Sequence, residues 1–230
     1  MIEAKGVSLR YKDGTLALHN VNLEIKPGEL VYITGPSGSG KTSLLKLFMG
    51  VEYPTSGALK VLGQAMFRRE SMKIRKLRRK IGPVFQDFRL IEGRTAMENV
   101  MMGMRFLGIP SRQIKQNAIN ALARVGLEHK AYSRVENLSW GEAQRVSIAR
   151  AVARKPALIL ADEPTGNLDH ANALNILDLL TSFKDKNTTV IITTHATHLI
   201  EDQKNATFVR VNKGNISIER RCESNEELLI

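Results

Sequence analysis

Apolar and polar residues follow two different patterns along the chain. In Val21–Ile25 they alternate, which predicts an antiparallel strand with one solvent-facing side. Three later segments, Leu30–Thr34, Ala157–Ala161 and Val190–Thr194, are nearly continuous apolar runs. Such runs are typical of strands that are buried on both faces of a parallel sheet. The pattern therefore predicts an antiparallel part near the start of the chain and a parallel-sheet core.

Stretches with helical spacing separate these strands. Helices are predicted over Lys41–Met49, over Ala171–Lys184 and in the segment after His195. This alternation of strands and helices is typical of an α/β protein. The polar end of the chain, Glu219–Ile230, is expected to fray.

The middle of the chain, residues 88–155, has a different pattern of residues. It shows helix-like spacing and little clustering of β-branched residues, and turn signals stand at Gly108–Pro110 and at Gly126. We interpret it as a helical subdomain inserted into the α/β core. The core itself is then expected to be built from residues 1–87 and 156–230.

The charge of the chain is strongly positive and concentrated in one place. Basic residues outnumber acidic ones by 34 to 23, which gives a formal net charge of +11. In Arg68–Lys80, eight basic residues stand against one acidic residue. The segment is either an ordinary solvated helix face or a surface for anionic lipid headgroups or an acidic partner. Nucleic acid is the less favoured ligand, because no aromatic residues stand among the basic ones to stack on bases.

The composition also bears on location. No apolar stretch approaches the roughly 18 residues that a membrane-spanning helix needs. The single cysteine, Cys222, cannot form an internal disulfide, and the first residues lack the basic-then-apolar pattern of a secretory signal. We therefore expect a cytosolic protein that reaches any membrane partner from outside the lipid.

A phosphate-binding loop is predicted at Gly35–Thr42. The segment has the spacing G-x-x-x-x-G-K-[ST], follows a predicted buried strand and opens a predicted helix. Glycines let successive N–H groups point at phosphates, and the helix N-terminus adds a favourable dipole. Lys41 is expected to reach the β- and γ-phosphates, and the Thr42 hydroxyl is expected to ligate Mg²⁺.

Two acidic residues, Asp162 and Glu163, follow the apolar run Leu158–Ala161. An acid at the end of a buried strand is suited to hold the Mg²⁺ that a phosphate loop uses, and we assign this role to Asp162. Glu163 is placed to orient and deprotonate an attacking water molecule. Together with the phosphate loop, the two acids predict phosphoryl transfer to water.

Two further sequence segments resemble conserved motifs of the ATP-binding-cassette (ABC) ATPases. Leu138–Arg145 resembles the LSGGQ signature, and Asp162–Asp169 resembles the Walker B end running into the D-loop. Tyr11 stands where the family keeps an aromatic residue that stacks on adenine, Gln86 matches the Q-loop and His195 matches the switch histidine. The resemblance covers almost the whole chain.

The resemblance implies a fold, an assembly and a set of site residues. The fold is an α/β P-loop ATPase domain with an N-terminal antiparallel β subdomain, a RecA-like parallel-sheet core and an inserted helical subdomain. The assembly is a head-to-tail homodimer in which ATP is sandwiched between the phosphate loop of one subunit and the signature of the other. The implied nucleotide-binding residues are Tyr11, Gly35, Pro36, Ser37, Gly38, Ser39, Gly40, Lys41, Thr42, Ser43, Gln86, Ser139, Gly141 and Glu142. The implied Mg²⁺ residues are Thr42, Gln86 and Asp162, and the implied catalytic residues are Glu163 and His195.

The signature departs from the family pattern at Trp140, which stands where the family has its first glycine. Ala143 likewise replaces a more usual glutamine. The close approach to a ligand that glycine allows is lost at position 140, although Ser139 and Gly141 remain. Trp140 either changes the closed dimer interface or packs at the edge of the subdomain, and the sequence leaves both interpretations open.

The phrases Ile81–Leu90 and Arg94–Val100 resemble the bacterial cell-division branch of the family, whose integral membrane partner is of the FtsX type. This implies a peripheral protein on the cytoplasmic face of the cell membrane, at the division site. Lipoprotein-releasing and drug-exporting ATPases share the Asp162–Asp169 phrase and remain the alternative. Soluble family members that act on nucleic acid usually carry a coiled-coil insertion or a second cassette, and small-molecule kinases lack the signature, so both fit this sequence less well.

Overall fold

The computed structural model describes residues 1–221, within which the chain forms ten β-strands, six α-helices and four short 3₁₀ turns. The strands are β1 (Ile2–Arg10), β2 (Leu16–Ile25), β3 (Leu30–Thr34), β4 (Ser56–Val61), β5 (Gln64–Ala65), β6 (Ile81–Val84), β7 (Leu158–Asp162), β8 (Thr189–Thr194), β9 (Ala206–Asn212) and β10 (Asn215–Arg221). The helices are α1 (Lys41–Phe48), α2 (Ser71–Arg78), α3 (Ala96–Met102), α4 (Ser111–Arg124), α5 (Trp140–Val152) and α6 (His170–Thr181). None of these helices is both long enough and apolar enough to cross a membrane.

Four strands form an antiparallel sheet in the order β2-β1-β4-β5. In β2, the side chains of Val21, Leu23 and Ile25 are buried while those of Asn22 and Glu24 are exposed. The alternation predicted for this segment is therefore confirmed. The buried side of the sheet shares a hydrophobic cluster with α1 and with one face of the second sheet.

The second sheet has six strands in the order β10-β9-β3-β8-β7-β6, and only β10 runs antiparallel to its neighbour. Every residue of β3 and β8 is buried, as the continuous apolar runs predict. Thr34 pairs with Thr194, and Asp162 pairs with Thr193, across neighbouring parallel strands. The loops that follow these strands therefore meet at one edge of the sheet, and the candidate site lies there.

Helices α3, α4 and α5 lie between β6 and β7 along the chain. Their buried residues, such as Val100, Leu122 and Ile148, belong to the same hydrophobic cluster as Ile159 and Val190 of the parallel sheet. The helical segment thus packs onto one face of the core. Its delimitation as a subdomain of residues 88–155 stays a prediction.

Two expectations near the end of the chain are wrong. The segment after His195 forms only the 3₁₀ turn Thr197–Leu199, because residues 201–205 lack the repeated apolar positions that would hold a helix to the core. Glu219–Arg221 does not fray, because it continues β10 in register with β9. The rest of the expected frayed end, residues 222–230, lies outside the described residues.

Candidate functional site

The loop between β3 and α1 has a backbone that requires glycine. Gly35 and Gly40 have φ angles of 145° and 116°. A Cβ atom on Gly35 would lie 2.1 Å from the carbonyl oxygen of Val211, and one on Gly40 would lie 2.6 Å from that of Ala17. No side chain among residues 1–221 caps the N-terminus of α1. The first N–H groups of this helix therefore remain available to an anion.

Lys41, the first residue of α1, is only 6% exposed and folds back over this loop. Its Nζ donates to the carbonyl oxygens of Gly35 at 2.8 Å and Pro36 at 3.1 Å. The same atom forms an ion pair with Oε1 of Glu163 at 3.2 Å. Three oxygens thus satisfy the buried ammonium group and hold it over the loop that it is predicted to serve.

Thr42 and Asp162 meet at the carboxyl edge of the sheet. The Thr42 Oγ1 donates to Asp162 Oδ1 at 3.2 Å, and the Thr193 Oγ1 donates to the same oxygen at 2.8 Å. A hydroxyl beside a carboxylate is the kind of oxygen donor set that Mg²⁺ takes together with phosphate oxygens and water. The residues at this position therefore fit Mg²⁺.

Glu163 lies between a cation and an imidazole. Its Oε1 pairs with Lys41, while its Oε2 lies 2.8 Å from Nδ1 of His195 and accepts the backbone N–H of His195 at 3.2 Å. Its φ of 45° is uncommon for a residue other than glycine, and its own N–H donates to Thr193 Oγ1 at 2.9 Å. With 12% of the side chain exposed, the carboxylate is largely shielded from bulk water. Four contacts therefore fix its position: the Lys41 ammonium group, the ring and the backbone N–H of His195, and the Thr193 hydroxyl.

Lys41, Thr42, Glu163 and His195 border one cleft of about 820 Å³, whereas Gly35 and Asp162 are not among the residues that line it. The Tyr11 hydroxyl lies 3.0 Å from Ser43 Oγ. Gln86 is exposed in the cleft, and its Nε2 lies 3.0 Å from the point that a Cβ atom on Gly166 would occupy. The residues that line the cleft are Tyr11, Thr15, Leu16, Ala17, Pro36, Ser37, Gly38, Ser39, Gly40, Lys41, Thr42, Ser43, Gln86, Glu163, His195, Lys213 and Gly214. The structure therefore brings most of the predicted nucleotide-binding and catalytic positions to one place.

Ser139, Gly141 and Glu142 are not among the residues that line this cleft. Ser139 caps the N-terminus of α5: its Oγ accepts the Glu142 N–H at 3.2 Å, and its N–H donates to Glu142 Oε2 at 2.8 Å. That backbone hydrogen bond and, to a smaller extent, the nearby Lys130 ammonium hold the pKa of Glu142 below its usual value. The signature is therefore a preformed helix start on another part of the subunit.

Trp140 is in contact with its own subunit but is not enclosed by it. Its ring meets that of Phe88 edge-on, with centroids 4.9 Å apart. The side chain nevertheless remains 56% exposed. More than half of the indole is thus free to make further contacts.

Two polar residues that the sequence did not single out complete the site. Thr193 holds both Asp162 and the backbone of Glu163. Gln144 is fully buried, and its Nε2 donates to the carbonyl oxygen of Pro164 at 2.7 Å, which ties α5 to the residue after Glu163. The polar end of the predicted strand Val190–Thr194 was the only signal for Thr193, and its place inside the signature phrase was the only signal for Gln144.

Curated proteins with similar sequences share most of this chain. The profile of the ABC transporter family matches residues 18–166. The cell division ATP-binding protein FtsE of Bacillus subtilis is 39% identical over 204 residues, which are 89% of this chain and 90% of that protein. FtsE of Escherichia coli K12 is 43% identical over 200 residues, which are 87% of this chain and 90% of that protein.

Solved structures show the same architecture. A dimeric structure of MJ0796, described as a bacterial ABC transporter cassette, has a TM-score of 0.85 at 36% identity, and the match covers 96% of this chain and 98% of that one. A dimeric post-hydrolysis state of the ATP-binding cassette MJ0796, bound to ADP and Pi, has a TM-score of 0.83 at 35% identity and the same coverage. The predicted fold class is therefore confirmed.

Proposed function

This chain belongs to the ABC transporter family and is an ATPase of that family, and from this premise we propose that it is the ATPase subunit of a cell-division complex. The observation that carries the proposal is the 39% and 43% identity to the cell-division proteins of B. subtilis and E. coli. In the proposed complex, ATP binding and hydrolysis drive an integral membrane partner of the FtsX type that regulates remodelling of the septal wall. The subunit works as a peripheral protein on the cytoplasmic face of the membrane, at the division site.

The cleft supports a division of roles among its residues. Tyr11 stacks on adenine, and the N–H groups of the loop at residues 35–42 cradle the phosphates. Thr42, Asp162 and Gln86 would hold Mg²⁺, which would neutralise negative charge on the phosphates. Glu163 accepts a proton from the water that attacks the γ-phosphorus as the bond to the β–γ bridging oxygen breaks.

The contacts of Glu163 suggest how ATP prepares the base. Lys41 is the only cation that contacts Glu163 Oε1 among the described residues. A γ-phosphate in the loop competes for that ammonium group, so binding of ATP draws Lys41 away and leaves Oε1 free to accept a proton. His195 meanwhile keeps Oε2 and orients the carboxylate.

The position of the signature supports a composite site in a dimer. Ser139, Gly141 and Glu142 lie outside the cleft of their own subunit, and the similar MJ0796 cassettes are dimeric. A Cβ atom on Gly141 would lie at an ordinary contact distance of 3.8 Å from Asn172, and the neighbouring Trp140 is 56% exposed, so the start of α5 is partly accessible to a partner. In the head-to-tail homodimer these residues approach the γ-phosphate bound by the other subunit.

Trp140 is expected to report closure of this dimer. It is the only tryptophan of the chain, and closure moves its exposed indole from water into a packed interface. ATP with Mg²⁺ should therefore shift its fluorescence emission in Glu163→Gln protein, and the midpoint should depend on protein concentration. ADP should not reproduce the shift.

The concentration dependence distinguishes the dimer from a change within one subunit. Flat emission while calorimetry shows bound ATP would contradict the composite site. An identical shift with ADP in protein that sedimentation shows to be monomeric would contradict it as well. In either case, packing against Phe88 would be the only role left for Trp140.

Depletion of the protein in its host tests the cellular role. We expect cells to elongate without completing septa, because the wall-remodelling partner is no longer driven. Wild-type protein should restore division, and Glu163→Gln protein, made at the same level, should not. Normal septation together with mislocalised lipoproteins or lost drug export would instead indicate a transporter subunit.

A further inference from the structure

Helix α2 presents an exposed face that the ATPase site does not use. Its Ile74 and Leu77 side chains are buried against the core. A helix turns by about 100° per residue, so Met72 lies on the opposite side of α2 from Ile74. Met72 is accordingly 77% exposed, and its position opposite the buried residues places it at the centre of the outward face.

Four of the eight basic residues in this region already have contacts. Lys73 forms an ion pair with Glu70 at 2.8 Å, and Arg78 donates to carbonyl oxygens at the end of α1. Arg68 and Arg69 lie over the rings of Tyr53 and Phe67. These four residues hold the local structure together.

The other four cations lie on the exposed side of α2 and on the two residues that follow it. Arg75, Lys76, Arg79 and Lys80 are all exposed. None of them forms an ion pair or a side-chain hydrogen bond with another residue of the described range 1–221. We call these four residues and Met72 the basic face. It combines uncompensated positive charge with an apolar centre.

The basic face lies at the end of the core that is remote from the cleft. Arg78 donates through Nε to the Met49 carbonyl oxygen at 3.0 Å and through a terminal nitrogen to that of Gly50 at 2.6 Å. These carbonyls belong to the C-terminal end of α1, whose N-terminal end begins at the phosphate loop. Helix α1 is eight residues long and so spans about 12 Å. A ligand on the basic face therefore leaves the cleft accessible.

We propose that the basic face binds the surface of an anionic phospholipid bilayer. Lysine and arginine near such a surface are attracted by its negative potential, and their headgroup partners can rearrange to meet four cations at once. An apolar side chain among the cations can enter the interface between headgroups and acyl chains, as on amphipathic membrane-surface helices. A nucleic-acid backbone offers no such site for Met72. The proposal does not depend on the cell-division role or on the ATPase reaction.

Vesicle sedimentation tests the proposal with full-length protein. Wild-type protein should sediment with vesicles of phosphatidylglycerol and phosphatidylcholine at low salt, and binding should fade as salt rises. It should not sediment with phosphatidylcholine alone. Each basic residue contributes about a fivefold change in partition. Loss of four positive charges therefore weakens binding by about 600-fold, and reversal of Arg75, Lys76, Arg79 and Lys80 to glutamate should weaken it by on the order of 10³-fold or more.

A matched control variant distinguishes the effect of the basic face from the effect of the total charge of the protein. Reversal of the exposed residues Arg112, Lys115, Lys184 and Lys186 to glutamate changes the net charge by the same amount elsewhere. The control should keep most of its vesicle binding. Both variants should hydrolyse ATP at the wild-type rate in vesicle-free buffer, which shows that they are folded and keeps this test apart from that of the proposed function.

The position of Met72 gives a second readout. In a Trp140→Phe background, a Met72→Trp variant carries one tryptophan at the centre of the basic face. Its emission should shift to the blue with anionic vesicles, and lipids brominated on the acyl chains should quench it.

Three results would overturn the proposal. One is the absence of binding to anionic vesicles at low salt. Another is an equal loss of binding in the control variant, and the third is unchanged emission from position 72 while the protein sediments. Binding to duplex DNA that the reversal abolishes, without binding to vesicles, would replace the bilayer by nucleic acid.

Discussion

Replacing Glu163 by glutamine is expected to slow ATP hydrolysis by about 10²–10⁴-fold, the usual effect of losing a positioned base. The amide matches the carboxylate in shape, and its oxygen can still accept the His195 N–H that Glu163 accepts at 3.2 Å. The backbone at φ 45° is held by Thr193 and need not change. What the variant lacks is a group that can take the proton from water. ATP binding should therefore persist.

Single-turnover hydrolysis of labelled ATP measures the loss, and calorimetry measures the retained affinity. Glu201→Gln is a suitable control, because Glu201 borders the neighbouring cavity that also contacts His195. It removes an equal charge and should leave the rate unchanged. If Glu163→Gln protein hydrolysed ATP at the wild-type rate, the base would have to be another residue, and His195→Ala would be the next variant to examine.

The parts of the site that the sequence predicted are those whose chemistry is contiguous along the chain. The phosphate loop needs its glycines, Lys41 and Thr42 within eight residues, and the structure shows positive φ angles at Gly35 and Gly40, which only glycine adopts without strain. Ser139 and Glu142 stand three residues apart, and they form the hydrogen-bonded helix start that such spacing favours. Local geometry decides both features, so local sequence suffices to predict them.

The strand order, in contrast, could not be predicted from the apolar pattern. The sequence indicated that Ala157–Ala161 and Val190–Thr194 are buried strands, but not that they are neighbours. The pairing of Asp162 with Thr193 brings a second hydroxyl, besides that of Thr42, to the carboxylate that is predicted to bind Mg²⁺. Many strand orders bury the same residues equally well, which is why Thr193 emerged only with the structure.

The backbone conformation of the loop that carries Gln86 could not be predicted from the sequence either. Phe88 and Arg89 have φ angles of 56° and 48°, although neither is glycine. Arg150 donates to both of their carbonyl oxygens, and Ser147 Oγ donates to that of Phe88 at 3.4 Å. Both donors lie on α5, about 60 residues further along the chain. The loop that carries Gln86 is thus clamped to the helix that carries the signature, and tertiary contacts override local preference there.

Replacing Lys41 by alanine is expected to weaken ATP binding by about 10–10²-fold, which corresponds to the roughly 1.5–3 kcal/mol of a charge-assisted hydrogen bond. The other donors of the loop are uncharged, namely backbone N–H groups and the hydroxyls of Ser37, Ser39 and Thr42, so Lys41 supplies its only positive charge. The buried ammonium group already has three oxygen partners, and the phosphates replace some of them rather than bind a free cation. The loss should therefore fall in this range and not far above it. Calorimetric titration with ATP and with AMP measures it, and AMP, which lacks the β- and γ-phosphates, should be almost unaffected.

Lys213→Ala is the matched control for Lys41→Ala, because Lys213 lines the same cleft but is exposed. If the phosphates responded only to the general positive potential of the cleft, the two variants would lose similar affinity. We expect the control to lose less than about threefold, since an exposed charge is screened by water and salt. Unchanged ATP affinity in Lys41→Ala protein would contradict the assignment of Gly35–Thr42 as the phosphate loop. Equal losses in both variants would mean that Lys41 acts only through the field of the cleft, without a bond of its own to the phosphates.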